Sequence, residues 1–138
     1  LDNIGFALNC KCGYRQLTDE FNSNCPNCGQ KVSFSHPLWI SKIKDSEFLG
    51  RCIKEYESLE FLGKKPLELL KTVENEIDSP LFYDIHELTH IYKTKIPKTE
   101  EMIKRLKDIG FNASTTHFSP VSVKTDAGIT DVLRCLDG

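Results

Sequence analysis

Cys10, Cys12, Cys25 and Cys28 fall within the first thirty residues as two short pairs, and glycine follows each pair at once, as Cys12-Gly13 and Cys28-Gly29. Thiolates grouped in this way are how a small module assembles a tetrahedral zinc site. The chain must fold back over such an ion so that backbone N–H groups point at sulfur, and those tight loops favour a residue tolerant of positive φ. Cys25-Pro26-Asn27-Cys28-Gly29 has the usual knuckle spacing. Cys10 and Cys12 have one residue between them, yet extended backbone places residues i and i+2 on one side, so both thiols reach one ion. Four thiolates close the coordination shell, so the zinc expected here is structural. A disulfide or a reduced, metal-free cluster is the alternative.

A second constellation is His86-Glu87-Leu88-Thr89-His90, a literal H-E-x-x-H. A zinc protease needs both imidazoles on a helical face that lines an enclosed cleft, with the glutamate as base. At about 100° per residue, Leu81, Ile85, Leu88 and Tyr92 define the buried direction of that helix. His86 and His90 then point roughly 120–160° away from it, onto the polar side. A metalloprotease is therefore the weakest reading.

The third constellation is electrostatic. The chain of 138 residues has 18 Lys and Arg against 20 Asp and Glu, a net charge of −2. That total does not describe a strongly basic nucleic-acid binder, but the distribution is uneven. Asp45–Glu60 carries five acids and two bases, and Glu68–Glu87 six acids and one base. From Thr89 to Lys107 the sign reverses, with Lys93, Lys95, Lys98, Lys104, Arg105 and Lys107 against Glu100 and Glu101. Positive charge concentrated in one segment suits one face to phosphate. A solvated helix with alternating charges is the plain alternative.

These groups must be positioned by a small module and a larger one, divided at His36-Pro37: residues 1–36 as a zinc-ribbon-like module and 37–138 as a mostly helical one. The fold class expected is α+β. Leu38, Trp39, Ile40 and Ile43 form a short apolar run that reads as a strand or packing anchor. Phe48, Leu49, Cys52, Ile53, Tyr56 and Leu59 recur at three and four residues and predict an amphipathic helix over Asp45–Leu62, ended by Gly63. A second helix is predicted over Pro66–Ile77, and a third starting at Ser79-Pro80 with proline in its first turn. Thr99 should cap a fourth, which Gly110 ends with Phe111 closing the cap. Ala113–Phe118 and Val121–Thr125 read as a hairpin turning at Ser119-Pro120, and Thr125 or Asp126 should cap a last short helix. Two helices joined by a short turn and followed by a hairpin describe a winged helix-turn-helix, with the basic segment on its turn and second helix.

Six cysteines in 138 residues are too sparse for a secreted disulfide scaffold, and Cys52 and Cys135 read as small core residues. With no signal peptide and no long apolar run, the expected setting is intracellular, the cytoplasm, with no membrane span. Leu1 in place of an initiator methionine, and the run Leu1–Leu8, read as chain entering from an upstream domain.

His36-Pro37-Leu38-Trp39-Ile40 just after the cysteines, Tyr83-Asp84-Ile85-His86 opening a helix, and above all Ser114-Thr115-Thr116-His117-Phe118-Ser119-Pro120 leading to Lys124-Thr125-Asp126 carry a resemblance. Over nearly the whole chain they resemble the C-terminal domain of the tRNA guanine-26 N(2)-dimethyltransferase family. The resemblance implies an enzyme that uses S-adenosylmethionine to methylate the exocyclic amine of guanine 26, where two arms of tRNA meet. It places the methyl-donor domain upstream, so catalytic and cofactor-binding residues are expected outside this chain, and the chain alone should transfer no methyl group. Consistent with that, no Gly-rich donor loop or alternating strand–helix pattern is present.

The function expected is tRNA binding and substrate recognition, with Lys93, Lys95, Lys98, Lys104, Arg105 and Lys107 contacting phosphate. Thr116, His117 and Lys124, on or beside the hairpin, are candidates for ribose or phosphate hydrogen bonds; Thr116 and His117 serve equally well to tie the hairpin to a neighbour. Trp39 and Phe118 are expected in the core rather than stacked on bases. The rival from another class is a zinc-containing winged-helix regulator that binds duplex DNA.

Overall fold

A computed structural model describes residues 3–137, so Leu1 and Asp2 of the expected entering segment lie outside the described residues. The first sheet is built on β1 (Ile4–Asn9). β2 (Arg15–Thr18) pairs along it antiparallel, with Phe6 opposite Thr18 and Asn9 opposite Arg15. β3 (Ser33–Phe34) pairs with the end of β1 and β4 (Leu38–Trp39) with its start, Ile4 opposite Trp39. Residues on both sides of His36-Pro37 thus belong to one sheet. Proline lacks the N–H that a ladder needs, so it interrupts the pairing without turning the chain away.

Two helices follow, packed on each other as a hairpin. α1 (Ser46–Glu57) starts where the Asp45 carboxylate accepts the Phe48 N–H at 2.9 Å. It ends five residues before the predicted Leu62, because Ser58 to Leu62 turn back on themselves through Leu62 N–H to the Leu59 carbonyl. α2 (Lys64–Asn75) begins two residues before Pro66 and stops short of Ile77. Its last carbonyls have no partners within the helix. The Lys44 ammonium answers them, donating to Val73 O (3.1 Å), Glu74 O (2.9 Å) and Glu76 O.

The third helix does not start at Ser79-Pro80. Tyr83–Asp84 form β5, which pairs with Val123 and Ser122, and this ladder holds the backbone extended up to Asp84. The Asp84 carboxylate then caps α3 (Ile85–Tyr92) by accepting from Glu87 N–H at 2.9 Å. Lys93 ends the helix in the left-handed region at φ 55. In α4 (Thr99–Asp108) the expected cap Thr99 is already helical, and its hydroxyl donates instead to the Pro120 carbonyl at 3.0 Å. The other end follows expectation: Gly110 has φ 97, its N–H bonds the Lys107 carbonyl, and the Phe111 N–H bonds that of Leu106. This is the double-bonded glycine stop that closes many helices.

β6 (Ala113–Thr116) and β7 (Ser119–Thr125) make the hairpin, but its turn is His117-Phe118, not Ser119-Pro120. Thr116 pairs with Ser119, and the register shifts between Ser114 and Thr116, so Pro120 enters the strand at an irregular point where no N–H is required. In the second sheet β7 lies between β5 and β6. Ahead of α5 (Ile129–Asp137) the Thr125 hydroxyl accepts the Ala127 N–H at 3.1 Å. Asp126 is drawn elsewhere, holding the Asn112 N–H and side-chain amide at 2.8 and 2.7 Å.

The core gathers Ile85, Leu88, Met102, Leu106, Val123 and Val132 between the second sheet and α3, α4 and α5. Cys135 belongs to it, whereas Cys52 is half-buried. Trp39 and Phe118, expected in the core, are 50% and 59% exposed. Trp39 sits in a two-residue strand at the end of its sheet, and Phe118 at the tip of a turn, where no second layer covers them.

One polar group lies deep in this assembly. Glu76, just past α2, is 4% exposed, and its carboxylate accepts Lys124 Nζ at 2.8 Å, His117 Nδ1 at 2.9 Å and the His117 backbone N–H. Burial pushes its pKa up, but the Lys124 ammonium and the two His117 donors outweigh burial and hold it below the ordinary 4.5. A depressed carboxyl contributes stability that is complete above about pH 4.5 and is lost as pH falls through its folded value. Glu76→Gln should therefore unfold at pH 7 with about 3–5 kcal/mol less stability than the parent, since it strands a buried ammonium. In urea titrations from pH 7 down, that gap should narrow only below about pH 4.5. A gap that is flat across this range would dismiss the charged pair.

Candidate functional site

The loops after β1 and around residue 25 bring the four sulfurs together. The ligand atoms of Cys10, Cys12, Cys25 and Cys28 all lie within 4.8 Å of one another, with Cys10–Cys28 at 3.4 Å and Cys12–Cys25 at 3.7 Å. Around an ion with bonds of ~2.3 Å, the edges of a sulfur tetrahedron are about 3.8 Å. The separations and the soft, all-sulfur donor set fit Zn2+. Each loop is a tight turn: Gly13 N–H bonds Cys10 O at 2.9 Å and Gly29 N–H bonds Cys25 O at 2.8 Å. Both glycines adopt the expected positive φ, 85° and 73°.

Electrostatics differ from one thiol to the next. Burial pushes Cys10 up to about 12, although the Cys12 backbone amide works against it. Burial also opposes ionisation of Cys12, but the Tyr14 backbone amide and the Asn27 side-chain amide, which donates to its sulfur at 3.6 Å, bring it down to about 7. The backbone amides of Cys12, Tyr14 and Gln30 favour the thiolates of Cys10, Cys12 and Cys28 in turn, but only Cys12 ends below its ordinary value.

The cluster rests directly on α3. A Cβ on Gly13 would lie 2.4 Å from Leu88 Cδ2 and 3.2 Å from Ile129 Cδ1, so the first knuckle touches the main core. The Tyr92 hydroxyl donates to the Cys12 carbonyl at 2.8 Å. From β2, the Arg15 guanidinium donates to the Phe82 carbonyl at 2.5 Å and to Glu87 Oε2 at 2.6 Å. This settles the H-E-x-x-H motif: Glu87 is paired with Arg15, and His86 and His90 lie on the exposed side of α3. Among the described residues, the four cysteines are the one group of His, Cys, Asp or Glu gathered closely enough to hold a metal.

The basic segment divides in two. Lys93, Lys95 and Lys98 are exposed along the α3–α4 connection, and Lys104 and Lys107 are exposed on α4, three residues apart on one face. Arg105 is turned inward, donating to Cys135 O at 2.7 Å and to Glu101 Oε1 at 2.6 Å, and it ties α4 to α5. Thr116 is 5% exposed and its hydroxyl accepts the Phe118 N–H at 3.3 Å. Lys124 is 1% exposed and committed to Glu76. Thr116 and Lys124, expected among the groups that face RNA, are thus placed inside the fold, and Arg105, with the same expectation, is partly exposed and engaged with Cys135 and Glu101. His117 sits at the hairpin turn with its Nδ1 on Glu76.

Arg15 and Glu76 were not singled out from the sequence, and Tyr92, expected on the buried stripe of α3, is 37% exposed and acts through its hydroxyl. Arg15 and Tyr92 leave no local trace, because their partners are 67 and 80 residues away. Glu76 continues the three-residue spacing of Leu67, Leu70 and Val73, and a carboxylate in that apolar register is the one available sign.

The profile of the family described as N2,N2-dimethylguanosine tRNA methyltransferase matches residues 1–137. A protein of Methanobrevibacter smithii named tRNA (guanine(26)-N(2))-dimethyltransferase is 36% identical over 139 residues, covering 96% of this chain and 36% of its own length. The protein of that name from Pyrococcus horikoshii is 36% identical over 129 residues, covering 92% and 32%. Among solved structures, Trm1 of Pyrococcus horikoshii in complex with S-adenosyl-L-methionine superposes with a TM-score of 0.78 at 33% identity, over 97% of this chain and 35% of that one. The chain spans about a third of the length of these relatives.

The two knuckle glycines separate backbone strain from packing. Gly29→Ala meets nothing within 4 Å and should cost only the positive-φ penalty, about 1–2 kcal/mol. Gly13→Ala adds a collision with Leu88 and should cost about 2–4 kcal/mol. Equal losses in urea unfolding would mean that the cluster is not seated on α3.

Proposed function

Because the chain belongs to the N2,N2-dimethylguanosine tRNA methyltransferase family, we propose that it is the tRNA-binding, substrate-recognition region of a tRNA guanine-26 N(2)-dimethyltransferase. Methyl transfer from S-adenosylmethionine is then the work of a domain upstream, in the two thirds of the relatives' length that this chain does not span. Every strand pair among the described residues is antiparallel, in two small sheets, whereas a doubly wound donor domain is built on a parallel one. The solved relative with bound S-adenosyl-L-methionine supports that cofactor for the whole enzyme. The setting proposed is the cytoplasm, where tRNA substrate is present; no helix among the described residues is long and apolar enough to cross a membrane.

The observation that carries the reading is the row of five exposed lysines, Lys93, Lys95, Lys98, Lys104 and Lys107, in a chain whose net charge is negative. Asp45–Glu60 and Glu68–Glu87 each carry an excess of acids, so the Thr89–Lys107 segment, with six bases against two acids, is where phosphate is most attracted. Folded RNA is recognised through shape, phosphate and 2′-hydroxyl contacts, which long mobile ammonium groups serve well. The succession α2, β5, α3, α4, β6, β7 supports a winged helix in residues 37–138, with α4 as the helix nearest the nucleic acid. His117 at the hairpin turn is the remaining candidate for a sugar or phosphate contact.

Residues 1–36 are proposed as a zinc module. Cys10, Cys12, Cys25 and Cys28 would hold the ion, which supplies cross-linking in place of the core that so short a segment cannot build. The residues around it present the module to α3: Gly13 by close approach, Tyr92 and Arg15 by hydrogen bonds.

The test is a titration of tRNA against the chain at several salt concentrations, with duplex DNA as competitor. Binding should weaken with salt, and Lys104→Ala with Lys107→Ala should lower the log–log slope by roughly 1.5–2. Native mass spectrometry should find one Zn2+ per chain, lost in Cys25→Ser. Methyl transfer by the 138-residue chain alone, or a preference for duplex DNA, would refute the assignment.

A further inference from the structure

We infer that the hairpin turn presents an aromatic ledge, centred on Phe118, that stacks an unpaired nucleobase of the bound RNA. The inference rests on the RNA-handling role proposed above and adds to it a base contact separate from the lysine–phosphate contacts.

Phe118 is a large apolar side chain left 59% exposed. Its ring is nonetheless built into a stack: Phe82 lies parallel to within 20° at a centroid distance of 5.6 Å, and the His117 ring is 4.1 Å away at 34°. The Lys124 ammonium stands 5.5 Å from the ring centroid. The turn that carries the ring is clamped. His117 is bound to buried Glu76 through both its backbone N–H and Nδ1, and the Phe118 N–H is held by the Thr116 hydroxyl. A ring fixed in this way has little freedom left to lose on binding, which is the condition under which an exposed aromatic adds affinity.

The neighbourhood selects the ligand. Thr99 is hydrogen-bonded to Pro120, two residues beyond Phe118, which ties the head of α4, next to the exposed Lys98, to the strand leaving the turn. A cation for phosphate beside an aromatic face for a base is how proteins grip unpaired nucleotides. Paired bases have both faces covered, so the ledge takes a base from a loop, a bulge or a junction. Stacking is tolerant of base identity, so the contact positions the RNA without reading sequence.

The ring can be made its own reporter. In a Trp39→Phe background, which removes the one native tryptophan, Phe118→Trp should be quenched as tRNA is added to the 138-residue chain. Phe118→Ala should weaken tRNA binding about 10-fold, and Phe118→Leu, which keeps apolar cover over Phe82, should weaken it nearly as much. Neither should change the dependence of affinity on salt, whereas Lys104→Ala should. Unquenched tryptophan at saturation, or Phe118→Ala binding like the parent, would overturn the ledge alone and leave the lysine contacts standing. A parent chain with no salt-dependent affinity for tRNA would overturn the functional reading and the ledge with it.

Discussion

The contact between Glu76 and Lys124 is the constraint on which the second half of the molecule depends. Both side chains are almost fully withdrawn from water, and each is intelligible only through the other. The carboxylate ends α2, the ammonium comes from the middle strand of the second sheet, and His117 joins them from the turn. In a low-dielectric interior an unpartnered member of this set would be very costly, so the helix end, the strand and the turn must arrive together. Lys44 reinforces the same point from outside by capping the carbonyls of α2. The acidic run Glu68–Glu87 thus contains the group that locks the hairpin.

The four-cysteine module meets this frame from the other side. β1 buries Ala7 and Leu8, while the residues that place the module on α3 are small or polar: Gly13 against Leu88, the Cys12 carbonyl against Tyr92, and Arg15 against Phe82 and Glu87. Sulfur geometry and docking are therefore the same structure, since the knuckle that positions Cys10 and Cys12 is also the surface that touches α3.

What the sequence could reveal depended on whether a feature was local. The cysteine pairs, their glycines and the Gly110-Phe111 stop are determined within a few residues, and all stand where expected. The amphipathic stripes found the helices, but not their ends. β5 was invisible because two residues carry no period, and its ladder to Val123 overrode a proline start signal that points to a helix at Ser79. The turn moved from Ser119-Pro120 to His117-Phe118 for a similar reason, as strand register outweighed turn propensity. Charge was read least well: Arg105 and Lys124 look like their exposed neighbours, and only partners in distant elements, Cys135 and Glu76, turn them inward. For Trp39 and Phe118 hydrophobicity suggested burial, where the fold provides no second layer.

Lys93 closes α3 in a conformation that glycine enters freely and that costs lysine about 1 kcal/mol. Glycine there would make a sturdier protein. What lysine supplies and glycine cannot is an ammonium at the head of the α3–α4 loop, beside carbonyls that carry the helix's negative pole. Selection for thermal robustness alone would relax that bend and erase the cation. The bend and the charge at this position are thus one choice, because the residue that would ease the backbone carries no cation.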